Sequence, residues 1–387
     1  MSLIEKTLAG GRRYWLWLGF LAVLMVMALL GWVQEQQVGL GITDLSRNMP
    51  WGLYIGQFIF CVGVGDAALV VMLPYYLHHW RAYAKVALLG QILGTVGVIL
   101  AMLFIFVSMG KPVRLINVLL YPHPRSLIFW DMLTLSGYVI LTAIIIVRLL
   151  IAEQEHSAPP LWTQRLVLLS FPWAVGIHTV TAFLLCGLVA RPYWFTALLA
   201  PRFLASALTA GSAMLVLILL LLKRLELFDA EEDALRRLAT TAAYCLVVHV
   251  FFTLVEFFNV FYGGVPQEVE HVDYLYGGLT ATSSVAPWMW LSAVLALVAL
   301  LVLLVPALRQ RTPLLLAACT SAVISIWIEK GFGMLVGGFE PSPFGATPPY
   351  VPDFSEWKVA AGIWALGAFL VTLMYKIVFS VRKEAES

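Results

Sequence analysis

Asp66, Asp131, His178, Arg202, His249, Glu256 and Glu329 stand in stretches made otherwise of leucine, valine, alanine, isoleucine and aromatic residues. An ionisable group inside a bilayer costs about 3 kcal/mol or more, so groups of this kind turn toward a protein interior and usually act there. Their types suit proton exchange and polar recognition: carboxylates accept protons, imidazole passes them on near neutral pH, and a guanidinium fixes an oxygen ligand. Asp66 follows Gly63-Val64-Gly65, where glycines let helices close around a carboxyl that either bonds a neighbouring helix or relays protons. His178 lies in Pro172-Trp173-Ala174-Val175-Gly176-Ile177-His178-Thr179, whose proline frees a backbone carbonyl one turn back. His249 and Glu256 are seven residues apart, two helical turns along nearly one face, and Asn259 extends the stripe. That pattern suits proton delivery to a redox site, or hydrogen bonding between helices. Trp327-Ile328-Glu329-Lys330-Gly331 sets opposite charges side by side; helical neighbours project about 100° apart, so the two need not pair, and Glu329 is expected to face the bundle.

The elements that must position these groups are membrane-spanning helices. Of the 387 residues 61% are hydrophobic and only 12% charged, with a mean hydropathy of +0.90, which makes lipid the solvent for most of the chain. The expected fold is an all-α polytopic membrane protein of about ten transmembrane helices, since apolar runs near 20 residues or longer recur throughout. Their limits read as 14–33, 51–77, 84–108, 126–151, 165–190, 202–222, 238–261, 286–308, 313–336 and 358–380. The stretches between them are too short to bury a soluble core. The first run is long enough to span and lacks a cleavage pattern, so it is expected to stay as a helix. A net charge of +2 gives no reason to expect nucleic acid.

Most of the 24 basic residues fall on the side of the N-terminus, which by the positive-inside rule places both termini in the cytoplasm of a bacterial inner membrane. Asp131, Arg202, Glu256 and Glu329 then form an outer ring of ionisable groups, with Arg202 equally able to snorkel to headgroups. Tyr121-Pro122-His123-Pro124-Arg125 and Arg191-Pro192-Tyr193-Trp194 stiffen the loops above them, while Trp288 and Trp290 suit the interfacial aromatic belt. A quinone headgroup needs a donor to each carbonyl, a proton-exchange partner and an apolar slot, and this ring offers such groups. Lys111, Arg114, Arg125 and Arg191 are basic on the outer side and could dock an acidic electron-transfer subunit or contact lipid headgroups. The four cysteines, Cys61, Cys186, Cys245 and Cys319, are isolated, with no pair at cluster or zinc spacing. No haem, iron–sulfur cluster or other metal is expected in this chain, so a partner must carry electrons.

The segment Pro172 to Phe183, followed by Ala200-Pro201-Arg202-Phe203-Leu204-Ala205-Ser206-Ala207, resembles the NrfD family of polysulfide-reductase-type membrane subunits, with a match over most of the chain. Within it, the length, the spans and Trp51-Gly52-Leu53-Tyr54-Ile55-Gly56 look most like the DsrP type, a quinone-interacting subunit of the DsrMKJOP sulfur-metabolism complex. The resemblance implies two four-helix bundles with one flanking helix at each end, divided as residues 1–50, 51–190, 191–336 and 337–387. It also implies a quinone or menaquinone pocket near the periplasmic face, beneath a ferredoxin-like iron–sulfur subunit. His178 and the Glu329-Lys330 pair match polar family positions. The candidate quinone-binding set is therefore Asp131, His178, Arg202, Glu256 and Glu329, and the candidate proton path Asp66, His178, His249 and Glu256. Two other classes stay open: a b-type cytochrome anchor with His178 and His249 as haem ligands, and a secondary transporter, suggested by two helical halves with glycine and proline interruptions.

Overall fold

A backbone in hydrocarbon must satisfy its own hydrogen bonds, and apolar runs of this length do so as helices. The computed structural model describes residue 7 and residues 10–277, 283–340 and 350–386, and among these there are ten helices long and apolar enough to cross a membrane and no strand. They are α1 (Arg12–Val38), α2 (Leu53–Leu77), α3 (Ala87–Ser108), α4 (Leu127–Gln154), α5 (Leu161–Cys186), α6 (Leu199–Arg224), α7 (Glu232–Gly263), α8 (Ala286–Leu304), α9 (Thr312–Phe339) and α10 (Phe354–Glu384). An even number of crossings returns the chain to its starting side, here called the terminal face; the opposite side is the distal face. The sequence-based limits 337–357 for the last distal loop fall partly outside the described residues.

Consecutive helices pair as α2 with α3, α4 with α5, α6 with α7 and α8 with α9, whereas α1 lies along α10 at the far end of the chain. Helix α6 is the seam, touching α2, α5 and α9 as well as α7. Close approach depends on missing side chains: at the seam a Cβ on Gly211 of α6 would stand 2.6 Å from the Ala67 nitrogen of α2, and between α3 and α2 one on Gly94 would stand only 2.5 Å from the Gly65 carbonyl. Helices α2 and α3 are enclosed, while α1 and α8 turn most of their side chains, including Trp15, Phe20, Trp288 and Trp290, toward lipid. Helix α2 is interrupted at Gly65–Asp66, and α9 contains a five-residue π-helical turn at Glu329–Gly333. Both irregularities fall on charged residues that the sequence had singled out.

Several helices begin earlier than hydropathy suggests. Helix α7 starts at Glu232, where Arg236 bonds Glu232 at 2.9 Å and Arg237 bonds Asp233 at 2.7 Å, so paired charges prolong it beyond the apolar run. Helix α10 starts at Phe354, because Glu356 in its first turn accepts bonds from the Asp353 nitrogen at 3.1 Å and the Tyr350 hydroxyl at 2.6 Å.

That carboxylate is part of a buried knot joining the end helices to α2. The Tyr350 hydroxyl also accepts from the Leu53 nitrogen at 2.7 Å, and Glu35 of α1 accepts from the Tyr54 and Ser355 hydroxyls at 2.7 and 3.0 Å. Replacing Tyr350 with Phe removes an acceptor and a donor from buried partners. We expect it to cost about 1–3 kcal/mol, read as a lower unfolding midpoint in detergent; an unchanged midpoint would mean that water takes over both bonds.

Candidate functional site

The charged residues of the distal half meet where α6, α7 and α9 converge. Arg202 of α6 pairs through Nη2 with Oε1 of Glu329, the first residue of the π turn, and His249 Nε2 of α7 lies 2.6 Å from the other carboxylate oxygen. A carboxylate can only accept at that point, so Nε2 carries the proton and Nδ1 of His249 is left without a partner. All three side chains are buried. Two turns along α7 toward the distal face, the buried Glu256 accepts a 3.0 Å bond from the Thr196 hydroxyl.

Thr196 belongs to the α5–α6 loop, which Trp194 anchors. Its indole nitrogen donates to the Met334 carbonyl at 2.9 Å, and its ring lies 5.8 Å from Trp51 and 5.1 Å from Phe339. Next to it, burial pushes the Tyr193 phenol up to about 12, with the neighbouring Glu329 and Glu256 carboxylates adding to the rise and Arg202 opposing it. Burial likewise drives Tyr276 well above its ordinary range, with the Glu329 charge adding. Both phenols therefore keep their protons at neutral pH and remain hydrogen-bond donors.

Between this loop and α7 lies a cavity of about 520 Å³, within the usual range for a small-molecule site. Its wall includes Tyr193, Thr196, Glu256 and Asn259, and its rim includes Phe195 and Phe258, 59% and 66% exposed on the lipid-facing surface. The cavity thus combines exposed aromatic rings with a buried carboxylate, a phenol and an exposed amide. Arg202 acts electrostatically on its Glu256 and Tyr193, and Glu329 on Tyr193.

A second centre sits at the break in α2. Asp66 is fully buried, and its Oδ2 is 3.4 Å from His178 Nε2 on α5. His178 Nδ1 lies 3.0 Å from the Ala174 carbonyl, which can only accept, so Nδ1 bears the proton and Nε2 presents a lone pair to Asp66 unless the ring is doubly protonated. Neither Asp66 oxygen nor His178 Nε2 has a hydrogen-bond partner. The Tyr138 hydroxyl closes the other side on the Gly65 carbonyl at 3.4 Å.

Of the five candidate quinone residues, the structure thus gathers Arg202, Glu256 and Glu329 in one region, with His249 of the candidate proton path joining them. His178 belongs with Asp66. Asp131 of α4 accepts a 2.8 Å bond from the Thr181 hydroxyl of α5, apart from the cavity wall. Lys111 and Arg114 border an open distal depression with Leu40, Arg125 is exposed, and the Arg191 guanidinium rests 4.6 Å over the Phe339 ring. Sequence reasoning missed Thr196 and Tyr193, whose types give no signal in a loop, and it underrated Lys330, a fully enclosed cation on α9.

A family model described as polysulphide reductase, NrfD, matches residues 41–339, and the chain belongs to that family of integral membrane proteins. It is 27% identical, over 92% of its length and 89% of the relative's, to a Halobacterium salinarum protein provisionally named as a membrane subunit of dimethyl sulfoxide reductase. It is 22% identical, over 89% and 88%, to the Hdr-like menaquinol oxidoreductase integral membrane subunit of Archaeoglobus fulgidus. A third relative, the integral membrane subunit of a menaquinone reductase from Nitratidesulfovibrio vulgaris, is 23% identical over 97% and 93%.

Proposed function

We propose that this chain is the quinone-interacting membrane subunit of a respiratory or sulfur-metabolism electron-transfer complex, exchanging electrons between the quinone pool and an iron–sulfur partner on the distal, periplasmic face. The observation that carries this is the cavity whose wall holds Glu256 and Tyr193 beside the Arg202–Glu329–His249 cluster. The names of the relatives from Archaeoglobus and Nitratidesulfovibrio support menaquinol or menaquinone as the substrate class. The DsrP-type assignment rests on the sequence resemblance alone.

A quinol headgroup entering between Phe195 and Phe258 brings two O–H donors, for which Glu256 is the nearest buried acceptor. Oxidation releases two electrons and two protons: the electrons leave to the partner's cluster, and the protons pass to Glu256 and the groups behind it. Tyr193, which stays protonated, can donate to the quinone oxygen so formed. Lys111, Arg114, Arg125 and Arg191 supply positive charge on the same face for an acidic partner. Asp66, His178 and His249 continue a proton path inward, with both termini in the cytoplasm. The two histidines address different carboxylates, Asp66 and Glu329, an arrangement that does not favour one haem shared between them.

The test is saturable binding of a quinol analogue to the purified protein, followed by fluorescence quenching, with an absorption spectrum of the same sample. Glu256→Gln is expected to weaken binding roughly ten- to a hundredfold, the worth of one hydrogen bond to a charged group. Absence of binding to folded protein would overturn the proposal, and substrate uptake by the chain alone in liposomes would put a transporter in its place.

A further inference from the structure

Lys330 is a buried cation that no step above uses. It follows Glu329 directly in the π turn, and the two point to different sides of α9, as neighbouring residues of a helix do. Glu329 meets Arg202 and His249. Lys330 instead reaches toward α2 and α6: its ammonium donates to the Phe203 carbonyl at 3.3 Å and sits 4.4 Å over the Phe203 ring. It is 2% exposed, and among the described residues no carboxylate lies within ion-pair distance of it. An ammonium has three donors, so two are left for other partners.

The carboxylates whose charges act on it are Asp66 and Glu329, one in each centre. Gly63, one turn before Asp66, packs beside the ammonium: a Cβ there would stand 3.5 Å from the Lys330 nitrogen. One turn further along α2, both Asp66 oxygens lack partners, as does His178 Nε2 facing them. Buried polar groups in such numbers are ordinarily satisfied by internal water, and water between an ammonium and a carboxyl is also a proton conductor.

We propose that Lys330 is the group that hands protons between the distal cluster and the Asp66–His178 pair, an inference that rests on quinol oxidation taking place beside Glu256. An N–H bond of the ammonium breaks as an O–H bond forms on the Asp66 carboxylate, with water carrying the proton across the gap between them. The neutral amine then takes a proton from the cluster side, supplied by quinol oxidation through Glu256, Glu329 and His249. No electron moves in this step, and its net effect is one proton shifted from the distal cluster to the middle of the membrane. Asp66 can pass it to the Nε2 lone pair of His178.

The experiment uses the complex as purified with its partner subunits, in liposomes containing a pH-sensitive dye, with quinol oxidation driven by external ferricyanide. Lys330→Arg is the decisive variant, because a guanidinium keeps the charge and the contact with Phe203 but does not release a proton. Lys330→Arg is expected to bind quinol analogue within about threefold of the native protein, yet to lower proton movement per electron at least tenfold, and Asp66→Asn to do the same. A native proton yield in Lys330→Arg, or no proton movement in the native complex, would overturn the assignment. If either variant fails to fold, the other decides. Quinol binding by the native protein, measured on the same samples, separates the two ideas: its absence removes the quinone site itself, whereas binding with unaltered proton yield in the variants removes only the role of Lys330.

Discussion

Glu329→Gln is expected to be the most damaging single substitution in this protein. The carboxylate is the counter-charge for Arg202 and the acceptor for His249, all three shielded from water. Neutralising it strands the guanidinium, and breaking a buried pair in this way costs about 3–5 kcal/mol. The unfolding midpoint in detergent should fall accordingly, and quinol-analogue binding with it, since Arg202 also acts on Glu256 and Tyr193. Replacing Arg202 and Glu329 together with methionine should cost less than the sum of the single changes, because neither charge is then left alone. An unchanged midpoint in Glu329→Gln would show that Arg202 has turned to Glu256 as its anion.

Gly56→Ala comes next, for a steric reason. A Cβ at this position would overlap the Gly331 carbonyl oxygen, in the middle of the π turn that aims Glu329 and Lys330. Backbone cannot swing aside as a flexible side chain can, so α2 and α9 must separate. Overpacking of this kind costs about 1–3 kcal/mol. A loss of quinol binding should accompany it although residue 56 is not part of the cavity wall. Full stability together with native binding would mean that the two helices are less tightly coupled than their contact implies.

The helices themselves were largely legible. Hydrocarbon demands a long apolar run for each crossing, and every predicted run coincides with one of the ten spans. The errors lie at the ends, as in α7 and α10, where side-chain pairs and first-turn bonds extend a helix past the point at which hydropathy falls. Within the spans, hydrophobic patterning could not say which face was buried, because lipid and protein interior are alike in polarity. That α2 is enclosed while α1 faces lipid came only from packing.

The candidate chemistry divides along the same line. Asp66, His178, Arg202, His249, Glu256 and Glu329 could be chosen from the sequence because the bilayer makes each of them expensive unless it has a partner. What that partner is depends on contacts between residues far apart in the chain: Glu329 with Arg202 and His249, Asp66 with His178, Asp131 with Thr181. No local spacing encodes such pairs. The sequence by itself determined the solvent of the protein, the number of its crossings and the depth at which its charges lie, since all three follow from transfer of side chains into hydrocarbon. The tertiary structure alone decided that Arg202, His249 and Glu256 gather near Glu329 and that His178 faces Asp66, with Asp131 apart from both. That outcome depends on the break in α2, the π turn in α9 and the close packing of Gly56 on Gly331, which are properties of helices in contact rather than of any one helix.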